Sequence, residues 1–259
     1  MKPLFSLFLI IATSCVVHSA ALIGPFDYSS SSQFTSNFYV THLPSTTPAS
    51  TLGVTGGQLV NVSIHGGDAT SWVYDTTPDG TPTNASFVNF TVSTTFSVST
   101  DSGSLGFYFY NGGNRTSSLQ AMISLNSTTN DLIRFWTGSN MNTSAAGTIA
   151  SSTSLATGFT LNTLYVATLT AQTLSPGNVQ ATLTISDPNL ILADFSASYT
   201  FTGVVPTAGE IGFRSYTNVG TNYFDNLVAT AIPEPSSTVL LLAGGMMVWT
   251  LRRRIRRSI

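Results

Sequence analysis

Apolar and polar residues alternate with a period of two along most of the chain. Gln58-Leu59-Val60-Asn61-Val62-Ser63-Ile64 alternates directly after Gly56-Gly57, and the run from Phe87 to Val98 does so over a greater length. Successive side chains of a strand point to opposite faces, so each run predicts a strand with one face buried. Shorter runs predict strands from Phe26 onward, at Ser71–Tyr74, Leu132–Trp136, Tyr199–Phe201, Glu210–Arg214 and Asn222–Val228. Two further pairs read as hairpins: Leu105–Tyr110 with Leu119–Leu125 across Asn111-Gly112-Gly113-Asn114, and Leu164–Thr170 with Val179–Ser186 across Ser175-Pro176-Gly177-Asn178. Thr41–Pro48, Thr76–Thr83 and the small, polar stretch Thr137–Gly158 predict loops. Closely spaced strands without a helical repeat predict an all-β body, an antiparallel sandwich or barrel.

The two ends break this pattern. Lys2, an apolar run from Leu4 to Val17 and Ser19-Ala20-Ala21 form the charged start, apolar core and small-residue end of a secretory signal peptide, residues 1–21. Cys15 lies inside it, so the processed chain has no cysteine and no disulfide. At the other end, Pro233-Glu234-Pro235 precedes an uncharged run, residues 236–251, and then Arg252, Arg253, Arg254, Arg256 and Arg257. As a helix the run spans about 25 Å, slightly short of the hydrocarbon thickness that about 20 residues cross, a gap that snorkelling arginines close. The predicted transmembrane helix has its arginines, residues 252–259, on the cytoplasmic side and the body outside. The expected organisation is therefore a signal peptide at 1–21, one β domain at 22–230 and a C-terminal signal at 231–259.

Charge changes the picture of partners. Between the two targeting ends the chain holds three arginines, no lysine, nine aspartates and one glutamate, a net of −7 that the whole-chain value of −2 conceals. Nucleic-acid binding needs a cationic footprint that this body lacks. An acidic polysaccharide is likewise an unfavourable partner on net charge unless a cation bridges it. Phe, Tyr and Trp recur along the body, which excludes a disordered Ser/Thr-rich stalk.

Pro233-Glu234-Pro235, the apolar run and the terminal arginine cluster, in that order at the C-terminus, resemble the PEP-CTERM sorting signal of Gram-negative bacteria. The resemblance implies processing by exosortase, a membrane transpeptidase-like protease, and inner-membrane anchoring before that step. It further implies delivery to the cell surface or an extracellular matrix, in systems that accompany exopolysaccharide production. A second resemblance rests on the closing order Gly209-Glu210-Ile211-Gly212-Phe213-Arg214 then Tyr223-Phe224-Asp225-Asn226-Leu227-Val228. The opening Phe26-Asp27-Tyr28 and Gly57-Gln58-Leu59 belong to it too. These are similar to the concanavalin A-like lectin, laminin-G and glucanase superfamily. The resemblance implies a two-sheet antiparallel jelly-roll sandwich with ligands, usually glycans, on the concave face or at a loop rim.

Chemistry is sparse. The retaining glucanases of that superfamily carry a Glu-x-Asp-x-x-Glu strand with two carboxylates about 5 Å apart. Here Glu210 is the body's single glutamate and has no acidic neighbour in sequence, so no catalytic residue is assigned. His42 and His65 lie in separate loops with no triad or metal spacing. If the first and last strands are neighbours, Asp27 and Asp225 approach one another and form a candidate Ca²⁺ pair; no other cofactor is expected. Trp72, Trp136, Tyr108 and Tyr110 are candidate platforms for stacking a sugar, or else ordinary core aromatics. The expectation is an exported, surface-targeted, non-catalytic protein that binds glycan or associates with an exopolysaccharide matrix. A structural surface protein without sugar ligand and a carbohydrate-active hydrolase are the alternatives.

Overall fold

The computed structural model describes residues 21–45, 50–75, 88–110, 115–126, 130–155, 158–188, 194–204, 210–217 and 219–232. The signal peptide up to residue 20, the motif Pro233-Glu234-Pro235, the apolar run 236–251 and the terminal arginines lie outside the described residues. Among the described residues no helix is long and apolar enough to cross a membrane.

In chain order the elements begin with β1 (Ala21–Phe26), α1 (Ser31–Asn37), β2 (Phe38–His42), β3 (Thr51–Thr55), β4 (Gln58–Ser63) and β5 (Asp68–Tyr74). They continue with β6 (Phe90–Val98), β7 (Ser102–Phe109), β8 (Ser118–Asn126), β9 (Leu132–Ser139) and β10 (Thr148–Ser154). The last five are β11 (Tyr165–Ser175), β12 (Asn178–Ser186), β13 (Phe195–Thr202), β14 (Gly212–Thr217) and β15 (Gly220–Ala231). One sheet runs β13-β12-β11-β6-β15-β4-β3, with β1 also on β15; the other runs β10-β9-β8-β7-β14-β5-β2. The pairing is antiparallel throughout, and residues 21–231 form one unit.

Alternation decides which faces meet. On β6, Phe90, Val92, Phe96 and Val98 are fully buried. On β15, Phe224, Leu227 and Ala229 are buried although Phe224 and Leu227 stand three apart. A register shift between Asp225 and Val228, with Asn226 at φ 51°, resets the phase so that both turn inward. The same bulge divides the strand's partners: Gly220–Phe224 pairs with β4, and Leu227–Thr230 with β1. Gly24, at φ 70°, allows that closeness, because a Cβ there would lie 2.2 Å from the Leu227 carbonyl oxygen. Aromatic rings fill the space between the sheets. Trp72 stacks on Phe213 at 5.6 Å and meets Phe224 edge-on at 5.2 Å, and Phe201 meets Phe109 and Phe135 at 6.0 and 6.2 Å.

Three elements differ from expectation. The chain has a helix, α1, started by Ser30, whose hydroxyl accepts from the Gln33 N–H at 3.2 Å. Seven residues are too few to display a helical repeat, and one buried residue, Phe34, stacked on Phe38, anchors it. The predicted loop 137–158 holds the end of β9 and all of β10, an edge strand whose mostly exposed small residues carry no apolar alternation. β3 was not foreseen, for the same reason: it also lies at a sheet edge with no fully buried residue.

A buried ion cluster ties the start of β14 to the loops before β8 and after β5. The Arg115 guanidinium donates Nε to Glu210 Oε2 at 2.8 Å and Nη2 to Glu210 Oε1 at 2.6 Å and Asp75 Oδ2 at 3.0 Å. Asp75 and Glu210 are fully buried and Arg115 is 2 % exposed. Breaking such a cluster leaves uncompensated charge in the interior, which costs about 3–5 kcal/mol. Arg115→Leu is therefore expected to lower stability by about that amount, seen as a fall in the urea midpoint at unchanged denaturant slope.

Candidate functional site

The order β14-β7-β8-β9-β10 lays five strands side by side, and their register aligns side chains in rows. Arg214, Gly106, Met122 and Arg134 occupy one row across β14, β7, β8 and β9. The row on one side is Tyr216, Ser104, Ser124 and Leu132; the row on the other is Gly212, Tyr108, Gln120 and Trp136. Phe107, Phe135 and Phe213, which alternate with these positions, belong to the core between the sheets. These rows therefore face away from it.

A cleft of about 400 Å³ opens on this outer face. Arg214 and Tyr216 from β14, Ser104 from β7, Ser124 from β8, and Arg134 and Trp136 from β9 are among its walls. Ile149 of β10, 46 % exposed, stands beside Trp136 in register and extends the apolar side. Among the described residues no carboxylate lines the cleft.

Segment 140–147, between β9 and β10, covers the remaining part of the face. Met141 is buried with Val73 and Tyr108, and Gly212 makes room for it, since a Cβ there would meet Met141 Cε at 2.1 Å. The segment is fixed by the Asn140–Ala145 bridge, by Met141 N–H donating to the Arg115 carbonyl at 2.8 Å, and by Thr41 Oγ1 donating to the Met141 carbonyl at 2.9 Å. It also positions Arg214, whose Nε donates to the Ser144 carbonyl at 3.0 Å.

The electrostatics of the cleft are unusual for this body. Arg214 is only 8 % exposed, with Nη1 donating to Ser104 Oγ at 3.3 Å and its guanidinium 5.3 Å from the Tyr216 ring centre. Burial pushes its pKa down, with Tyr108 and Tyr216 opposing; an arginine nevertheless remains charged. Arg134 Nε and Trp136 Nε1 are buried donors with no acceptor among the described residues. Arg115, by contrast, makes ion pairs with both Asp75 and Glu210.

The expected site residues separate clearly. Trp136 lines the cleft. Trp72, Tyr108 and Tyr110 are buried, at 0 %, 0 % and 4 % exposure, and present no open ring face. Trp72 faces the first sheet, Tyr108 lies under Met141, and Tyr110 donates its hydroxyl to the Val88 carbonyl, with burial pushing that phenol up to about 12. Glu210 is held by Arg115. Arg134, Arg214 and Tyr216 were missed; the available signal was that two of the three cations in an almost cation-free body sit inside strands.

Asp27 and Asp225 are brought together at the β1–β15 edge, closely enough for their charges to interact. Ser29 N–H donates to Asp27 at 3.1 Å and holds that carboxyl below its ordinary range. Desolvation raises the Asp225 carboxyl, the Asn226 N–H opposes this, and Asp27 adds to the rise. Among the described residues no group of three His, Cys, Asp or Glu side chains forms a metal cluster. A hard cation here would need carbonyl, hydroxyl and water oxygens to complete its shell.

Residues 231–254 match the PEP-CTERM protein-sorting motif. The chain carries a PEP-CTERM sorting signal. That signal indicates export and membrane-anchored sorting. No curated protein matches the sorted chain in sequence. Its body is similar to the carbohydrate binding module CBM66 from Bacillus subtilis, at 12 % identity over 76 % of this chain and 97 % of that one, TM-score 0.50. It is also similar to a lectin from Bauhinia forficata in complex with GalNAc, at 12 % identity over 82 % and 99 %, TM-score 0.51. At such identity the likeness shows the fold, a lectin-like two-sheet jelly-roll sandwich.

The raised Asp225 carboxyl has a pH consequence. The folded state favours its protonated form, so the stability it adds is present at low pH and is lost as pH rises from 3.8 through the raised folded value. Asp225→Asn removes this titration. The variant's stability relative to the parent is expected to increase from pH 3 to pH 7, measured by urea unfolding at each pH.

Proposed function

We propose that this is a surface-displayed, non-catalytic glycan-binding protein, exported by its signal peptide and processed by exosortase, whose ligand lies in the outer cleft of the second sheet. The observation that carries the reading is the cleft itself, with the Trp136 indole and Tyr216 ring on its walls among serine hydroxyls. A ligand pocket combines apolar walls with a few convergent polar groups, and a sugar presents both an apolar C–H face and hydroxyls. Two solved structures of similar fold are, by their descriptions, a carbohydrate binding module and a lectin holding a sugar. The reading is non-catalytic because the cleft offers arginines, hydroxyls and rings, but neither a histidine nor a carboxylate pair for general acid–base work.

The test is binding of the full-length chain in detergent to a panel of soluble and insoluble polysaccharides. Binding without release of new sugar ends is expected. Trp136→Ala should weaken it by about tenfold or more, as loss of a central aromatic anchor does, with the urea midpoint nearly unchanged. Retention by no polysaccharide would favour a structural surface protein, and new reducing or unsaturated ends would make it an enzyme. The assay repeated with calcium and then with chelator assigns the Asp27–Asp225 pair, since only a calcium role predicts loss on chelation.

A further inference from the structure

The cleft's unmet groups are all of one kind. Of the body's three arginines, Arg115 is neutralised by Asp75 and Glu210, and the other two line the cleft. Arg214 is more than nine-tenths buried, and its hydrogen-bond partners, the Ser144 carbonyl and the Ser104 hydroxyl, are neutral. A buried charge without a counter-charge is destabilising. Arg134 Nε and Trp136 Nε1 are likewise buried without acceptors. Guanidinium and indole nitrogens donate only, whereas an ionised carboxylate accepts only.

Resting on the glycan-binding reading, we propose that the cleft selects a carboxylated glycan, a uronate-containing chain whose carboxylates pair with Arg134 and Arg214 while a sugar ring stacks on Trp136. The two arginines stand at the ends of one cross-strand row, three strand spacings or about 14 Å apart. Between them the row holds Gly106, which presents no side chain, and Met122. Each guanidinium is suited to grip one carboxylate with two parallel donors. Trp136 and the neighbouring Ile149 supply the apolar wall at one side of the row, and Tyr216 at the other.

This departs from what net charge alone predicts. The body's −7 acts at long range, where solution ions damp it over about 8 Å at physiological ionic strength. At contact distance inside a cleft free of carboxylates, the two guanidinium groups determine the sign. The same arrangement disfavours a cation-bridged mode, since none of the described cleft side chains is acidic.

The decisive experiment measures the affinity of the full-length chain in detergent for uronate oligomers and for the same oligomers with their carboxyls reduced to alcohols. The uronate form is expected to bind at least about tenfold more tightly. Arg134→Gln should remove most of that preference, lowering affinity for the uronate form several-fold more than for the reduced form. Arg134 is only partly buried, so this variant should keep its fold; Arg214→Lys serves as a second probe, keeping the charge but losing the fork. Equal affinity for the two forms would overturn the carboxylate assignment and leave the glycan reading standing. Preference for sulfated oligomers over uronates would overturn it as well. Failure of both the uronate and the reduced forms to bind would overturn this inference, while the glycan reading falls only if the whole polysaccharide panel also fails to bind.

Discussion

The register between β6 and β15 is the constraint on which the rest of the structure depends. These strands form the middle of the first sheet, and each must turn its large apolar residues toward the second. A one-residue slip would carry Phe90, Val92 and Phe96 to the wrong face, an error too costly to persist. Strict alternation along β15 would bury Phe224 and leave Leu227 outside. The bulge at Asp225–Asn226 resolves this conflict by resetting the phase midway. It also has a local cost: Asp225 is left beside Asp27 at the edge, desolvated and repelled by a like charge.

The second sheet obeys the same rule with a different outcome on its outer face. Its inward residues complete the core, but its outward residues are not simply solvated. Segment 140–147 folds over β5, β14 and β7 and buries Met141 against Tyr108, so one part of the face becomes a small second core. The other part stays open and becomes the cleft. The segment that closes the one also holds Arg214 in place for the other, through Ser144. Position and chemistry of the site thus follow from how a β9–β10 connection is laid across a sheet.

Much of the fold was legible because alternation is a local signal. The strands at β4, β6, β7, β8, β11 and β12 could be read directly, and β7 pairs with β8 and β11 with β12 as expected of the two hairpins. Edge strands β3 and β10 were not legible, since a strand with little to bury need not alternate. The site was legible only in fragments. Trp72 and Trp136 look alike in sequence, each in an apolar stretch, and which face each takes depends on partners that local pattern does not name. Arg134 and Arg214 lie eighty positions apart and become members of one row only through the order β14-β7-β8-β9, a property of topology. Asp27 and Asp225 were within reach of sequence reasoning because their meeting requires only that the first and last strands be neighbours.

The three arginines show how a body of low charge density uses cations. Arg115 is enclosed by two carboxylates, the arrangement expected where a buried charge serves the fold alone. Arg214 is nearly as buried, yet the fold gives it a carbonyl, a hydroxyl and the face of Tyr216 in place of a carboxylate. Neutral oxygens and an aromatic face offset only part of the desolvation of a guanidinium. A fold that needed this cation only for stability would pair it as it pairs Arg115, and the body has aspartates enough to do so. Departures from local consistency of this kind concentrate where a ligand completes the structure. The contrast between two buried arginines, one satisfied internally and one not, is therefore the strongest physical reason to regard the cleft as a site rather than as incompletely packed surface.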